Sequence, residues 1–333
     1  MKNIALFCDG PMVDRVYGKG RREMVAQMGN LYEHVVVSKD FDLHAPKLRD
    51  LEAIFSTWGM PCLTPQQLDQ LPNLKAVFYA AGTVKGFASP LLERGILVCS
   101  AWAANGVPVA EFTLAQILLS MKGYFRNAAE CRTPASKRPT KGKAFAGNGV
   151  FGETVALLGA GQIGRKVIEL LRNFELKVVV YDPFLSDADA AALGVQKVSL
   201  LQAFEQGYVV SNHLANVPET VGMLNGALFE AMRPDATFIN TGRGATVVES
   251  DLISVFGRRG DLTALLDVTY PEPPVDDSPL YTMPNIHLTS HIAGSMNDEV
   301  VRMADYMIGE FKAWQQGRPL QYAVTKEMLP RMA

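Results

Sequence analysis

The chain has 333 residues, nearly half of them apolar, and a formal charge of −2. That length suits two domains of roughly 100–200 residues, each with a core of its own, and the near-neutral balance argues against a general nucleic-acid or membrane-surface role. Cys8, Cys62, Cys99 and Cys131 are scattered without a CxxC pair, which argues against a disulfide framework or a metal site and suits a reducing cytoplasm. No run of about 20 apolar residues offers a membrane span.

The opening MKNIALFCDG holds only a short apolar run before Asp9. It is too brief for a signal peptide and reads as a first strand. Apolar runs at Asn3–Phe7, His34–Val37, Ala53–Ser56, Lys75–Tyr79 and Ile96–Cys99 alternate with helix-like segments, the pattern of an α/β domain with a parallel sheet. Ala81-Gly82-Thr83-Val84 follows a strand directly, so it belongs at the carboxyl edge of the sheet, where open α/β sheets bind ligands. Its glycine either lets backbone N–H groups face an anion or simply makes the turn. Trp102 either reaches a cleft or packs between domains. Pro108–Tyr124 is apolar on most sides and reads as a buried helix, one that could also serve a subunit interface. The basic stretch Arg132–Lys143 is a solvated connection or a lure for an acidic partner.

From Gly152 a second alternating series begins, with strands expected at Thr154–Leu158, Lys177–Tyr181, Tyr208–Val210, Ala236–Asn240, Thr263–Leu266 and Ile286–Leu288. Ser295–Gln316 reads as one long helix. The tail Arg318–Ala333 is too short for a domain and is expected to return to the first one. The expected division is therefore residues 1–102 plus 297–333 as a substrate domain and 103–296 as a dinucleotide-binding domain. The most informative stretch is Thr154–Asp182. A strand ends in Gly159-Ala160-Gly161-Gln162-Ile163-Gly164, a helix follows, and Asp182 closes the next strand. Gly159 permits a tight turn, Gly161 lets backbone approach a pyrophosphate, and Gly164 lets the helix pack close to its strand. First-turn N–H groups, including those of Gln162 and Ile163, favour the phosphate charge. An acid at Asp182 suits ribose hydroxyls and repels a 2′-phosphate, and Asp182-Pro183-Phe184-Leu185-Ser186-Asp187 contains no base. The pattern points to NAD rather than NADP.

Three further segments present polar groups just after strands: Asn240-Thr241-Gly242-Arg243-Gly244, Asp267-Val268-Thr269-Tyr270-Pro271-Glu272 and Thr289-Ser290-His291. Such ends converge on the cofactor crevice of a doubly wound sheet. His291 suits proton transfer near neutrality. Glu272 on its other ring nitrogen would fix the tautomer, and Arg243 would hold a carboxylate through its planar fork of donors. Taken singly, each also fits a bland role: a turn arginine, a loop acid, a strand-end histidine. Their joint placement after strands of one dinucleotide domain favours the chemistry.

The order GAGQIG…YD…NTGRG…LDVTYPEP…LTSHIAG resembles the D-isomer-specific 2-hydroxyacid dehydrogenases, from Ala81 to about Gly294. The resemblance implies two Rossmann-like α/β domains with parallel sheets, the substrate domain discontinuous and flavodoxin-like. It implies reduction of a small 2-keto acid to the D-2-hydroxy acid, with an Arg243–Glu272–His291 triad. It also implies substrate contacts at Ala81, Gly82, Thr83 and Arg243, and cofactor contacts at Thr241 and Asp267. Asn105 and Glu111 would lie in a hinge segment, and the molecule would be a homodimer. Thr269 stands where many members carry an aromatic residue. No tryptophan occurs in the loop before the dinucleotide strand, and the Ala81–Val84 turn differs from the commoner valine–glycine–aspartate. The rival reading is a dinucleotide-sensing protein like the corepressors that share this fold and triad. Formate dehydrogenases carry glutamine where this chain has Glu272.

Overall fold

The structure is a computed structural model that describes residues 1–131 and 147–329. The basic stretch Arg132–Lys143 lies outside the described residues. The chain forms two compact units, Met1–Gly106 with Ser295–Ala333, and Val107–Gly294. No helix among the described residues is long and apolar enough to cross a membrane.

The first unit is built on five parallel strands: β1 (Lys2–Phe7), β2 (Gly29–Val36), β3 (Ala53–Ser56), β4 (Ala76–Tyr79) and β5 (Leu97–Ser100). Their order is β2-β1-β3-β4-β5, the flavodoxin-like order. Parallel strands covered on both faces read as unbroken apolar runs rather than as alternations. Alternate residues then go to opposite cores: Ala5, Phe7, Ile54 and Val77 to one, Ile4, Leu6, Phe55 and Phe78 to the other. The helix Val301–Gln315 closes the second face through Met303, Met307 and Phe311. The Phe311 ring lies 5.0 Å from that of Phe55 and 5.3 Å from that of Phe78. Burying a side chain of this kind contributes about 1.5–3 kcal/mol.

The chain after this helix returns to the same unit. Ala323 bridges Cys99 in antiparallel fashion, and Val324 N donates to Val98 O (2.8 Å). The buried Glu310 carboxylate accepts from Gln321 N and Tyr322 N, both at 3.1 Å to Oε2. The first domain is thus discontinuous, as expected. Trp102 packs against Tyr322, with ring centroids 5.9 Å apart.

The second unit carries seven parallel strands: β6 (Thr154–Leu158), β7 (Lys177–Tyr181), β8 (Gln196–Lys197), β9 (Val209–Asn212), β10 (Thr237–Asn240), β11 (Thr263–Leu266) and β12 (Ile286–Leu288). Their order is β12-β11-β10-β9-β6-β7-β8. Counted from β6, this is the doubly wound order 3-2-1-4-5-6 with a seventh strand added at the far edge. The order reverses between β6 and β9, so the ligand crevice opens at their carboxyl ends.

Several elements differ from expectation, three of them as follows. The two-residue β8 has both residues exposed and carries no apolar signal. The helix expected at Pro108–Tyr124 spans Trp102–Met121 and takes Pro108 into its interior, then stops before Gly123, whose φ is +63°. The long helix expected from Ser295 begins instead with a tight turn at Asn297–Val300. Its start is set by Asn297 in the left-handed region (φ +47°) and by Ser295 N, which donates to Asn105 Oδ1 (3.0 Å).

Candidate active site

The three glycines after β6 meet three different demands. Gly159 has φ +99°, and a Cβ there would lie 2.9 Å from His213 O. A Cβ on Gly164 would lie 2.1 Å from Gly159 O, so the helix Gln162–Leu171 could not rest on the turn with any side chain there. Gly161 is neither left-handed nor crowded: a Cβ would meet nothing within 4 Å. The space is open, and it faces first-turn N–H groups that have no carbonyl one turn back. This is a cradle for a phosphate group that a side chain would fill.

Asp182 stands beside this turn. Its Oδ2 accepts from Ala160 N (2.7 Å), and its Oδ1 accepts from Phe184 N (2.7 Å) and Leu185 N (3.1 Å). The carboxylate is held in place, with one acceptor position left on Oδ2.

On the other side of the crevice, sequence reasoning missed His213. It directly follows β9, whose Asn212 is in register with Leu158, the last residue of β6. Its Nε2 shares a hydrogen bond with Ser211 Oγ (3.0 Å), while its Nδ1 is buried without a partner among the described residues. Burial pushes the imidazole down to about 4, so it is neutral. An orphaned buried nitrogen is costly and needs a reason. A polar group of a bound dinucleotide supplies one, and the residues here fit such a ligand. The signal was hidden because Ser211 and Asn212 read as the start of a loop.

Arg243 lies in the turn after β10, half-buried, with Nη1 donating to Gly242 O (2.7 Å). Burial pulls its guanidinium below the ordinary arginine value, and the Glu272 charge pushes the other way. Gly244 must be glycine, because a Cβ would sit 2.0 Å from Thr269 O. That close approach brings the Arg243 turn directly onto the segment leading to Glu272. Within that segment Thr269 Oγ1 donates to Pro271 O (2.8 Å). Thr241 is buried, its hydroxyl sharing a hydrogen bond with that of Thr113 (3.0 Å).

His291 and Glu272 meet: Nδ1 lies 2.6 Å from Oε1. His291 occupies the left-handed region (φ +57°), uncommon for a residue with a side chain. The loop is clamped by Asp267, which is 2 % exposed. Asp267 O accepts from His291 N (3.0 Å). Its Oδ1 accepts from Thr289 Oγ1 (2.5 Å) and Ile292 N (2.9 Å), and its Oδ2 from Ala293 N (2.9 Å). Asp267, singled out for a nicotinamide contact, is thus also the anchor of the histidine loop.

In the first unit, the turn Ala81–Thr83 follows β4. Ser100 Oγ donates to Ala81 O (2.9 Å) and Gly82 O (2.5 Å). The N–H groups of Gly82 and Thr83 have no hydrogen-bond partner among the described residues. Two unengaged donors in a glycine turn form a ready anion contact.

Residues 114–293 match the family model described as "D-isomer specific 2-hydroxyacid dehydrogenase, NAD binding domain". The D-3-phosphoglycerate dehydrogenase of Mycobacterium bovis is 32% identical over 251 residues, covering 72% of this chain and 46% of its own. That of Archaeoglobus fulgidus is 29% identical over 237 residues, covering 70% of this chain and 43% of its own. The chain therefore spans less than half the length of these curated relatives. The structure of a phosphoglycerate oxidoreductase from Rhizobium etli shares the fold, with a TM-score of 0.84 at 20% identity over 99% of this chain and 100% of that one. The glycine cradle, the acid after the second strand and the doubly wound order all agree with a match that covers more than half of the sequence. The chain belongs to the D-isomer specific 2-hydroxyacid dehydrogenase family, and its second unit holds that family's NAD-binding domain.

Proposed function

We propose that the chain interconverts a small 2-keto acid and its D-2-hydroxy acid, with NAD as redox partner. The 2.6 Å contact between His291 Nδ1 and Glu272 Oε1 carries this reading. Bound nicotinamide supplies the hydride in reduction and accepts it in oxidation. With Nδ1–H donated to Glu272, Nε2 of His291 is left to face substrate. It gives a proton to the developing alkoxide in reduction and takes one from the hydroxyl in oxidation. Arg243 offers its donors to the substrate carboxylate. The family resemblance assigns Ala81, Gly82 and Thr83 to substrate as well, and the unengaged Gly82 and Thr83 N–H groups are donors suited to a carboxylate. Gly159, Gly161, Gln162, Ile163 and Gly164 would hold the cofactor's phosphates, and Asp182 would take ribose hydroxyls and disfavour a 2′-phosphate. Thr241 and Asp267 line the nicotinamide end.

The substrate is a short 2-hydroxy acid, and the names of the relatives add 3-phosphoglycerate to the set to be tried. The family resemblance supports a homodimer, and the scattered cysteines suit a reducing cytoplasm. The test is loss of NADH, and separately NADPH, absorbance against glyoxylate, hydroxypyruvate, pyruvate, phenylpyruvate and 2-ketoisocaproate, with 3-phosphoglycerate and NAD for the reverse direction. NADH-dependent turnover of one member is the expected result. Tight NADH binding with no turnover of any would sink the reading.

A further inference from the structure

A chain of buried polar side chains runs beneath Arg243, and no step of the proposed reaction uses it. Asn212 ends β9 and Asn240 ends β10, and the parallel register sets them side by side. Thr246 lies three residues beyond Arg243. Their exposures are 0 %, 1 % and 0 %. Asn212 Nδ2 donates to Asn240 Oδ1 (3.0 Å) and to Thr246 Oγ1 (2.9 Å), so both its hydrogens are spent. Its Oδ1 accepts from Leu214 N (3.1 Å), which settles the orientation of the amide.

The bonds converge on the backbone just before and just after Arg243. Before it, Gly242 N donates to Asn240 Oδ1 (3.1 Å). After it, Arg243 O accepts from Thr246 Oγ1 (2.7 Å), Asn240 Nδ2 (3.3 Å) and Thr246 N (3.3 Å). Gly242 closes against Asn212, where a Cβ would lie 3.0 Å from Asn212 O. A protein gains little net stability by burying such groups. Apolar replacements of the same shape are often neutral, whereas a half-satisfied network is costly. What a saturated network supplies is one defined geometry.

We propose that Asn212, Asn240 and Thr246 are positioning residues that set the direction of the Arg243 side chain toward the substrate carboxylate. The inference rests on the reading of Arg243 as the carboxylate site. Thr246 is the central link, because its hydroxyl accepts from Asn212 and donates to Arg243 O.

The experiment is a double-mutant cycle in the full chain, using the 2-keto acid of the panel that is turned over fastest. Thr246→Val keeps the shape and removes the hydroxyl. It is expected to raise KM for the keto acid roughly tenfold, as expected for one lost hydrogen bond, with NADH affinity by fluorescence titration unchanged. Thr246→Ser restores most of the loss. In an Arg243→Ala background, Thr246→Val adds nothing further. An equal loss in both backgrounds, or a parallel loss of NADH affinity, overturns the proposal, since the network would then act on the fold and not through Arg243. Should Thr246→Val not yield folded protein, Asn212→Leu breaks the preceding link and carries the same expectations. If Arg243→Ala by itself left KM unchanged, the carboxylate reading would fall first. A normal Arg243→Ala effect with a silent Thr246→Val would overturn the positioning alone.

Discussion

The side chains that matter most are held by hydrogen bonds rather than by packing. His291 is exposed, yet its backbone is pinned by Asp267 and its ring by Glu272. Under the proposed reaction, His291→Gln removes the proton donor and leaves the cradle untouched. Turnover should fall about 10²–10⁴-fold, with NADH affinity preserved. Unchanged turnover would remove His291 from the chemistry. Asp182→Ala takes away an anchored acceptor of the crevice. NADH affinity should drop about tenfold or more and NADPH affinity much less. Equal losses for both would mean that the acid does not select between them. The identities of Arg243, Glu272 and His291 could be read from the sequence because each follows a predictable strand end. His213 could not, because polar Ser211 and Asn212 hid the end of its strand.

At the scale of the turn and helix, the glycines separate two kinds of requirement. Gly161→Ala meets no neighbour, so the melting temperature should hold while NADH affinity falls, the new methyl entering the phosphate space. Gly164→Ala drives a Cβ to 2.1 Å from a backbone oxygen. It should cost about 1–3 kcal/mol of stability, seen as a lower denaturation midpoint. Loss of stability in Gly161→Ala, or none in Gly164→Ala, would contradict these roles. Central strands such as β3 and β6 were legible residue for residue, because burial on both faces leaves an unbroken apolar run. The edge strand β2 begins at Gly29, five residues before its predicted start. Its exposed Asn30, Glu33 and His34 interrupt the apolar run.

At the scale of the second unit, paired carboxylates make stability depend on acidity. Glu153 is 2 % exposed. Burial pushes its carboxyl up, but Arg233 (2.7 Å) and the N–H groups of Thr154 and Asn148 outweigh that and leave it below its ordinary 4.5. Arg259 likewise holds Asp261 below its ordinary 3.8. A carboxyl depressed by folding stabilises fully above its unfolded value, and the gain is lost as pH falls through the folded one. Urea denaturation should therefore show stability level down to about pH 5 and falling below it. Arg233→Met should cost about 1–3 kcal/mol at neutral pH, less than for a fully buried pair because Arg233 is one-third exposed. A flat acid profile in the unmodified chain would refute this account.

By itself the sequence determined the two α/β units, the glycine cradle, the acid that follows it and the identity of the three residues proposed for chemistry. Those features are local. They follow from apolar periodicity, from the conformations that only glycine tolerates, and from the rule that polar residues after parallel strands gather at one sheet edge. The tertiary structure alone decided which polar residues go inside. Asn212, Asn240 and Thr246 are buried because each finds its partners on another segment, and such partners are invisible until the strands are in register. The return of the tail was expected from its length, but what receives it, the acceptors of Glu310 and the open edge of β5, was not. Pairing between distant segments depends on the three-dimensional register, and no local pattern records it.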